Sequence, residues 1–269
     1  MKDTATYVYC FARADRLPRV TARAIDGSGR VSTLALGGVA AVVSSVSPAE
    51  FTGASAEAHL TDPAWVVQRA LQHEQVIEEV MGCSPVLPVR FGTVFSSRRA
   101  LKTLLADRCA EIAAFLDRVA DKEEWAVKGF VDLARAGASL LATHPVLRER
   151  WRRLPQSPGA RYLQEKRLRA EAATQAKLWC RTVAEQVTVE LKGRALEVCP
   201  VRLQSRSVSG RDADMVLHCA FLLAGSGVLR FRRCVERMGS AYAEQGLALE
   251  LSGPWPPHNF CPSIGAPRA

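Results

Sequence analysis

The chain has 269 residues, 48% hydrophobic and 23% charged, with a net charge of +9. This gives room for two ordinary domains and is too apolar for a disordered chain. Residues 1–131 are neutral overall, so the whole excess lies behind them, carried mostly by arginine, with 29 Arg against 7 Lys. A basic second half would suit an acidic partner, nucleic acid included. With no block of five or six like charges, a solvated Arg-rich surface accounts for it as well.

TYVYCF (6–11) reads as an aromatic, β-branched strand. The uncharged run VSTLALGGVAAVVSSVSPA (31–49) has a membrane-like length, but Gly37-Gly38 and its serines make it a hairpin, with 39–46 the more buried arm. The N-terminus lacks the apolar core of a signal peptide, so a soluble protein is expected. A helix follows from Pro63, with Asp62 as cap and Gly82 as stop. Val66, Ala70, Ile77 and Val80 share one of its faces, and His73 lands in the middle of that face. VLPVRFGTVF (86–95) reads as one strand. Alternation places Leu87, Val89, Phe91, Thr93 and Phe95 on one side and Arg90 on the other. A second helix (97–120) is expected to bury Leu101, Leu104, Leu105, Ile112, Leu116 and Val119, and DKEE (121–124) marks the domain boundary.

The second half begins with a strand, EWAVKGFV (124–131), and a basic helical stretch interrupted at Pro145 and at 155–159. A long helix covers about 161–192, with Leu163, Ala170, Ala173, Val183 and Val187 as apolar positions. Strands at 195–204 and 214–224, a helix from Val228 and a strand at 247–254 complete it. The expected class is therefore α+β in two domains, 1–121 and 122–269. The second is a modified ferredoxin-like β-α-β-β-α-β fold with an insertion after its first strand.

Catalytic patterns are missing. There is no H-E-x-x-H, no G-x-S-x-G and no G-x-x-x-x-G-K. The eight cysteines show no C-x-x-C and read as reduced, largely buried thiols of a cytosolic protein. His218 and Cys219 are adjacent and point to opposite faces of a strand, so they cannot grip one metal. His73 reads as a hydrogen-bonded core histidine, with a general base as the other reading. No catalytic, cofactor or metal residues are expected. KGFV (128–131) echoes an RNA-recognition signature. It sits on the wrong strand, and the third strand offers one aromatic, Phe221, so RNA binding is the alternative function.

Taken together, YVYCF, VAAVVSSV, DPAWVVQRALQHEQVIEEV, VLPVRFGTVF and the closing LELSGPWPPHNF resemble, in that order, the gas vesicle accessory proteins of the F/L type. VLPVRFGTVF and SGPWPPHNF are the most specific segments, and 137–160 matches least. The resemblance implies two α+β domains and no enzymatic activity. It implies a cytoplasmic protein, associated with the gas vesicle, that binds the hydrophobic major shell subunit and supports assembly or joins the wall as a minor component. Other gas vesicle accessory proteins would be further partners, with no nucleic acid and no lipid membrane. Arg90 and Phe91 fall in the first motif. Pro88 and Gly92 leave space for the guanidinium, which is expected to clamp this strand to a neighbouring element rather than hold a ligand. Trp255 and Phe260 lie in a proline-stiffened exit that either seals the fold or forms a partner-binding edge.

Overall fold

The computed structural model describes residues 4–51 and 53–262. The chain divides into two compact units: one ends at Lys122 and resumes at Trp255, and the other is Glu123–Pro254. The segment from Trp255, read from sequence as part of the second domain, thus counts with the first unit. Its contacts explain this, because His258 pairs with Glu74 and the Phe260 carbonyl accepts from Arg118. Residues 263–269 lie outside the described residues.

In the first unit, β1 (Ala5–Arg13), β2 (Ser32–Leu36), β3 (Val39–Val46), α1 (Pro48–Phe51), α2 (Ala54–Leu60), α3 (Pro63–Met81), β4 (Val86–Pro88), β5 (Val94–Phe95) and α4 (Arg98–Val119) follow one another. The sheet order is β2-β3-β1-β4, with β5 also on β1. Gly37 and Gly38 both take positive φ (58° and 80°), as a two-residue hairpin turn requires. Helices cover both faces. Val76, Ile77 and Val80 of α3 meet Tyr7, Tyr9 and Val42 on one face. Leu101, Leu105 and Ile112 of α4 meet Val8, Phe11 and Val43 on the other. Burial on both sides is why β3 reads as a continuous apolar run. Pairing of β1 with β3 shifts register between Val8 and Cys10. This bulge lets Tyr9 and Cys10 face the same side.

The second unit uses β6 (Lys122–Val131), α5 (Leu133–Thr143), α6 (Pro145–Arg152), α7 (Pro158–Lys192), β7 (Glu197–Pro200), α8 (Arg206–Ser209), β8 (Asp214–Ala224), α9 (Val228–Tyr242) and β9 (Leu247–Trp255). Its sheet runs β7-β8-β6-β9. Val127 of β6 and Phe221 of β8 pack under Val183 of α7 and Phe231 of α9. The buried stripe of α7 starts in a separate small core, where Leu168 and Ala172 meet Leu147 of α6, and enters the main core from Ala176. Leu163, Ala170 and Ala173, expected among the helix's apolar positions, are exposed. The buried seam runs at a different angle, through Leu168, Ala172 and Ala176.

Candidate functional site

VLPVRFGTVF is two short strands rather than one. Val86–Pro88 and Val94–Phe95 both pair with β1, Leu87 opposite Phe11 and Val94 opposite Tyr7. Between them the chain leaves the ladder. The Arg90 carbonyl accepts from the Thr93 N–H at 3.2 Å and the Thr93 hydroxyl at 2.7 Å. Gly92 has φ 84°, the left-handed value that the third position of a type II turn requires. The turn breaks the expected alternation. Phe91 packs on the α3 side of the sheet, while Leu87, Val89 and Phe95 pack on the α4 side.

Two buried side chains hold this turn. His73, 1% exposed, places Nε2 at 3.0 Å from the Val89 carbonyl. A carbonyl only accepts, so Nε2 carries the proton and Nδ1 is left to accept. The Tyr7 hydroxyl, 2.9 Å away, donates to Nδ1 and in turn accepts from the Gly92 N–H at 3.1 Å. The relay Gly92, Tyr7, His73, Val89 closes on the turn with its tautomers fixed. Burial lowers the basicity of His73, and Glu74 and the Val89 carbonyl offset only part of that effect. Burial raises the Tyr7 hydroxyl's pKa, so both groups are neutral. The Phe91 ring closes edge-on over His73, centroids 5.9 Å apart. His73 is therefore a satisfied core histidine that fastens the motif.

Arg90 itself is exposed, and its guanidinium makes no hydrogen bond or ion pair among the described residues. The clamp expected of it is made by Tyr7 and His73 instead, because the turn swings Arg90 outward. An arginine clamp does exist, at Arg69 of α3. Its Nη1 donates to the Ile25 carbonyl at 2.5 Å and its Nη2 to Glu50 at 2.9 Å. The Tyr9 hydroxyl accepts from the Ile25 N–H at 2.7 Å, and burial pushes it up to about 12. Glu79 accepts from the N–H groups of Thr21 and Ala22 at 2.6 and 2.9 Å, and from the Thr21 hydroxyl. What burial it has opposes its charge, but these donors outweigh it and hold the carboxyl below the usual range. The sequence reading did not assign Tyr7, Tyr9, Arg69 or Glu79 these roles. The available signal was Tyr-x-Tyr on one face of a strand.

In the exit segment, Phe260 is buried and its carbonyl accepts from Arg118 at 2.5 Å. His258 lies 3.0 Å from Glu74. Burial alone would raise the Glu74 pKa, but the His258 hydrogen bond and charge overcome it and lower the pKa. Trp255 remains 42% exposed. The structure thus brings His73 and Phe91 together beside Arg90, and it buries Phe260 while leaving Trp255 partly exposed.

In the second unit a cavity of about 680 Å³ opens between α9 and β9, an end strand of the sheet. It is lined by Trp125, Val235, Leu249 and Leu251, with Arg135, Arg232 and Glu236. The aromatics that an RNA-stacking sheet would present are withdrawn. Phe221 is fully buried toward the helices, and Phe130 is 3% exposed beneath Arg211. Among the described residues, no group of three His, Cys, Asp or Glu side chains is placed to hold a metal ion. No helix there is long and apolar enough to cross a membrane. All eight cysteines are free thiols, four of them buried.

The family model described as gas vesicle synthesis protein GvpL/GvpF matches residues 5–262. The chain belongs to the GvpL/GvpF family. This family member is 28% identical to gas vesicle protein L of Streptomyces sp. (strain CB03234), covering 96% of this chain and 93% of the relative. It is 27% identical to gas vesicle protein L2 of Halobacterium salinarum, covering 96% and 91%. Among solved structures it is similar to GvpF from Anabaena sp. PCC7120, with a TM-score of 0.70, 20% identity, and 96% and 98% of the two chains covered. For GvpF from Microcystis aeruginosa the TM-score is 0.63 at 18% identity, covering 95% and 98%. At such identities the likeness concerns the mixed α/β fold, with its two sheets and flanking helices.

Proposed function

We propose that this chain is a cytoplasmic gas vesicle assembly factor that acts by protein–protein contact on the hydrophobic major shell subunit. Family membership supports the gas vesicle role, and one geometric observation supports the contact. Arg90, inside the motif, is displayed to solvent on a turn tied at Val89 and Gly92 to buried, neutral groups. A guanidinium on a backbone already fixed loses little freedom on binding, and its planar fork can meet several carbonyls of a partner. In this reading Arg90 and Trp255 make contact, while Phe91, His73 and Phe260 hold the contact face. The second unit is read as a modified ferredoxin-like domain. Its strands lie in the order fourth, first, third, second, and α5–α6 form the insertion after the first.

The test is co-purification of the tagged full chain with the major shell subunit, wild type against Arg90→Ala. The variant is expected to keep the wild-type melting temperature and to lose about tenfold in retained subunit. Undiminished retention by the variant overturns the role of Arg90. A wild-type chain that retains no shell subunit overturns the functional reading.

A further inference from the structure

Residues 133–172 form α5, α6 and the first part of α7. They carry nine basic and three acidic side chains, a net +6 of the chain's +9. Their own small core, with Leu147, Leu168 and Ala172 buried against Leu140, Trp151 and Leu154, makes this a folded lobe rather than a solvated tail. All three acids are already engaged within the lobe. Glu149 pairs with Arg153 at 2.8 Å, Glu165 with Arg161 at 2.9 Å and Glu171 with Arg150 at 2.7 Å. Arg169 lies over the Trp151 ring at 5.5 Å. Arg148, Arg152, Lys166 and Arg167 are exposed, and their side chains make no ion pair or hydrogen bond among the described residues.

These four cations share the lobe with exposed apolar side chains. Val146, Tyr162 and Leu163 are 57%, 65% and 58% exposed. On α7, Tyr162, Lys166 and Ala170 recur every fourth residue, on the side opposite the buried Leu168. Ala170 and Ala173 are exposed on that side as well. The helix therefore presents cations and apolar groups beside small residues that let another helix approach closely.

We propose that this lobe is a docking surface for an acidic amphipathic helix of a partner protein, independent of the Arg90 contact. Arg148 and Arg152 stand one helical turn apart on α6, and Lys166 and Arg167 are adjacent on α7; like charges so placed repel, and carboxylates of a partner relieve that repulsion. Tyr and Arg beside exposed aliphatic groups are the composition of a protein-binding patch. Nucleic acid would use the cations but gain nothing from Val146 and Leu163. Of the lobe's two aromatics it would find Tyr162 open but Trp151 covered by Arg169, where a stacking platform uses several rings.

The probe is a fluorescein-labelled 21-residue peptide with Leu in a helical heptad pattern and Glu elsewhere, titrated by anisotropy with the full chain. Binding is expected, weakened at least about tenfold by R148Q/R152Q/K166Q/R167Q and about threefold by Y162A/L163A. Arg90→Ala should bind the peptide like wild type, so the two surfaces fail separately. If the fourfold variant loses helicity by circular dichroism, R148Q and R167Q replace it, each expected to weaken binding about twofold. Equal binding of a sequence-scrambled peptide overturns the proposal, as does no binding. So does tighter binding of a 30-nucleotide RNA or of phosphatidylserine vesicles.

Discussion

Two loops of the first unit are tied down by opposite chemistry. The turn at Val89–Thr93 is held by neutral, buried groups, Tyr7 and His73, with each proton assigned. The segment Thr21–Ile25 is held largely by charged groups nearer the solvent, Glu79 and Arg69, with Tyr9 as its buried partner. A neutral relay is unforgiving, because losing one member strands a buried donor or acceptor. A charged clamp at the surface lets water replace what is lost. The rigid loop is the one that displays Arg90, and its rigidity comes from residues up to 85 positions away in sequence.

Tyr7→Phe should break the comparison most visibly. It leaves Gly92 N–H and His73 Nδ1 without partners, at a cost of about 2–4 kcal/mol by urea denaturation. Gly92→Ala meets no neighbour within 4 Å, so only the positive φ opposes it, for about 1–2 kcal/mol. Glu79→Gln should cost about 1 kcal/mol, with faster amide exchange confined to the Thr21–Ile25 segment. Arg90→Ala should lie within about 0.5 kcal/mol of wild type.

Acid separates the two clamps as well. The folded state holds His73 less basic than its ordinary value of 6.5, so the unfolded chain binds the proton first. The stability carried by this group is complete above pH 6.5 and falls as pH drops below it. Glu74 and His258 lie nearby and act on His73 in opposite directions, so the comparison is His73→Gln against wild type across pH 7.5 to 5. The variant should start less stable and show a flatter slope. The folded state holds Glu79 below its ordinary 4.5, so its contribution is present above pH 4.5 and disappears only as pH falls through the lower folded value. Glu79→Gln should leave the slope between pH 7.5 and 5 unchanged.

Local chemistry wrote much of the fold into the chain. Asp62 caps α3 by accepting from the Ala64 N–H at 3.0 Å, Pro63 opens the helix, and Gly82 follows its last residue. Gly37-Gly38 turns the hairpin because only glycine takes two successive positive φ values cheaply. His73, on an apolar helix face, is buried with both ring nitrogens hydrogen-bonded, since a half-buried face has one direction to point. Each of these signals acts within a few residues.

The candidate site did not yield to the same reading. In VLPVRFGTVF the period-2 pattern holds for Leu87, Val89 and Phe95, but Gly92 turns Phe91 to the other face and Arg90 to solvent. Whether a Gly in an apolar run is a strand residue or a turn depends on what waits to bind its backbone. Here that is Tyr7 on β1 and His73 on α3. Likewise Phe260 is buried beside Arg118, and nothing near it in sequence announces the pairing. Sequence alone determined most of the helices and strands, the cap of α3 and the family, because those follow from backbone propensity and short-range pattern. Tertiary structure alone decided which arginine clamps and which is displayed, because a hydrogen bond forms only when distant strands and helices bring its donor and acceptor to about 3 Å.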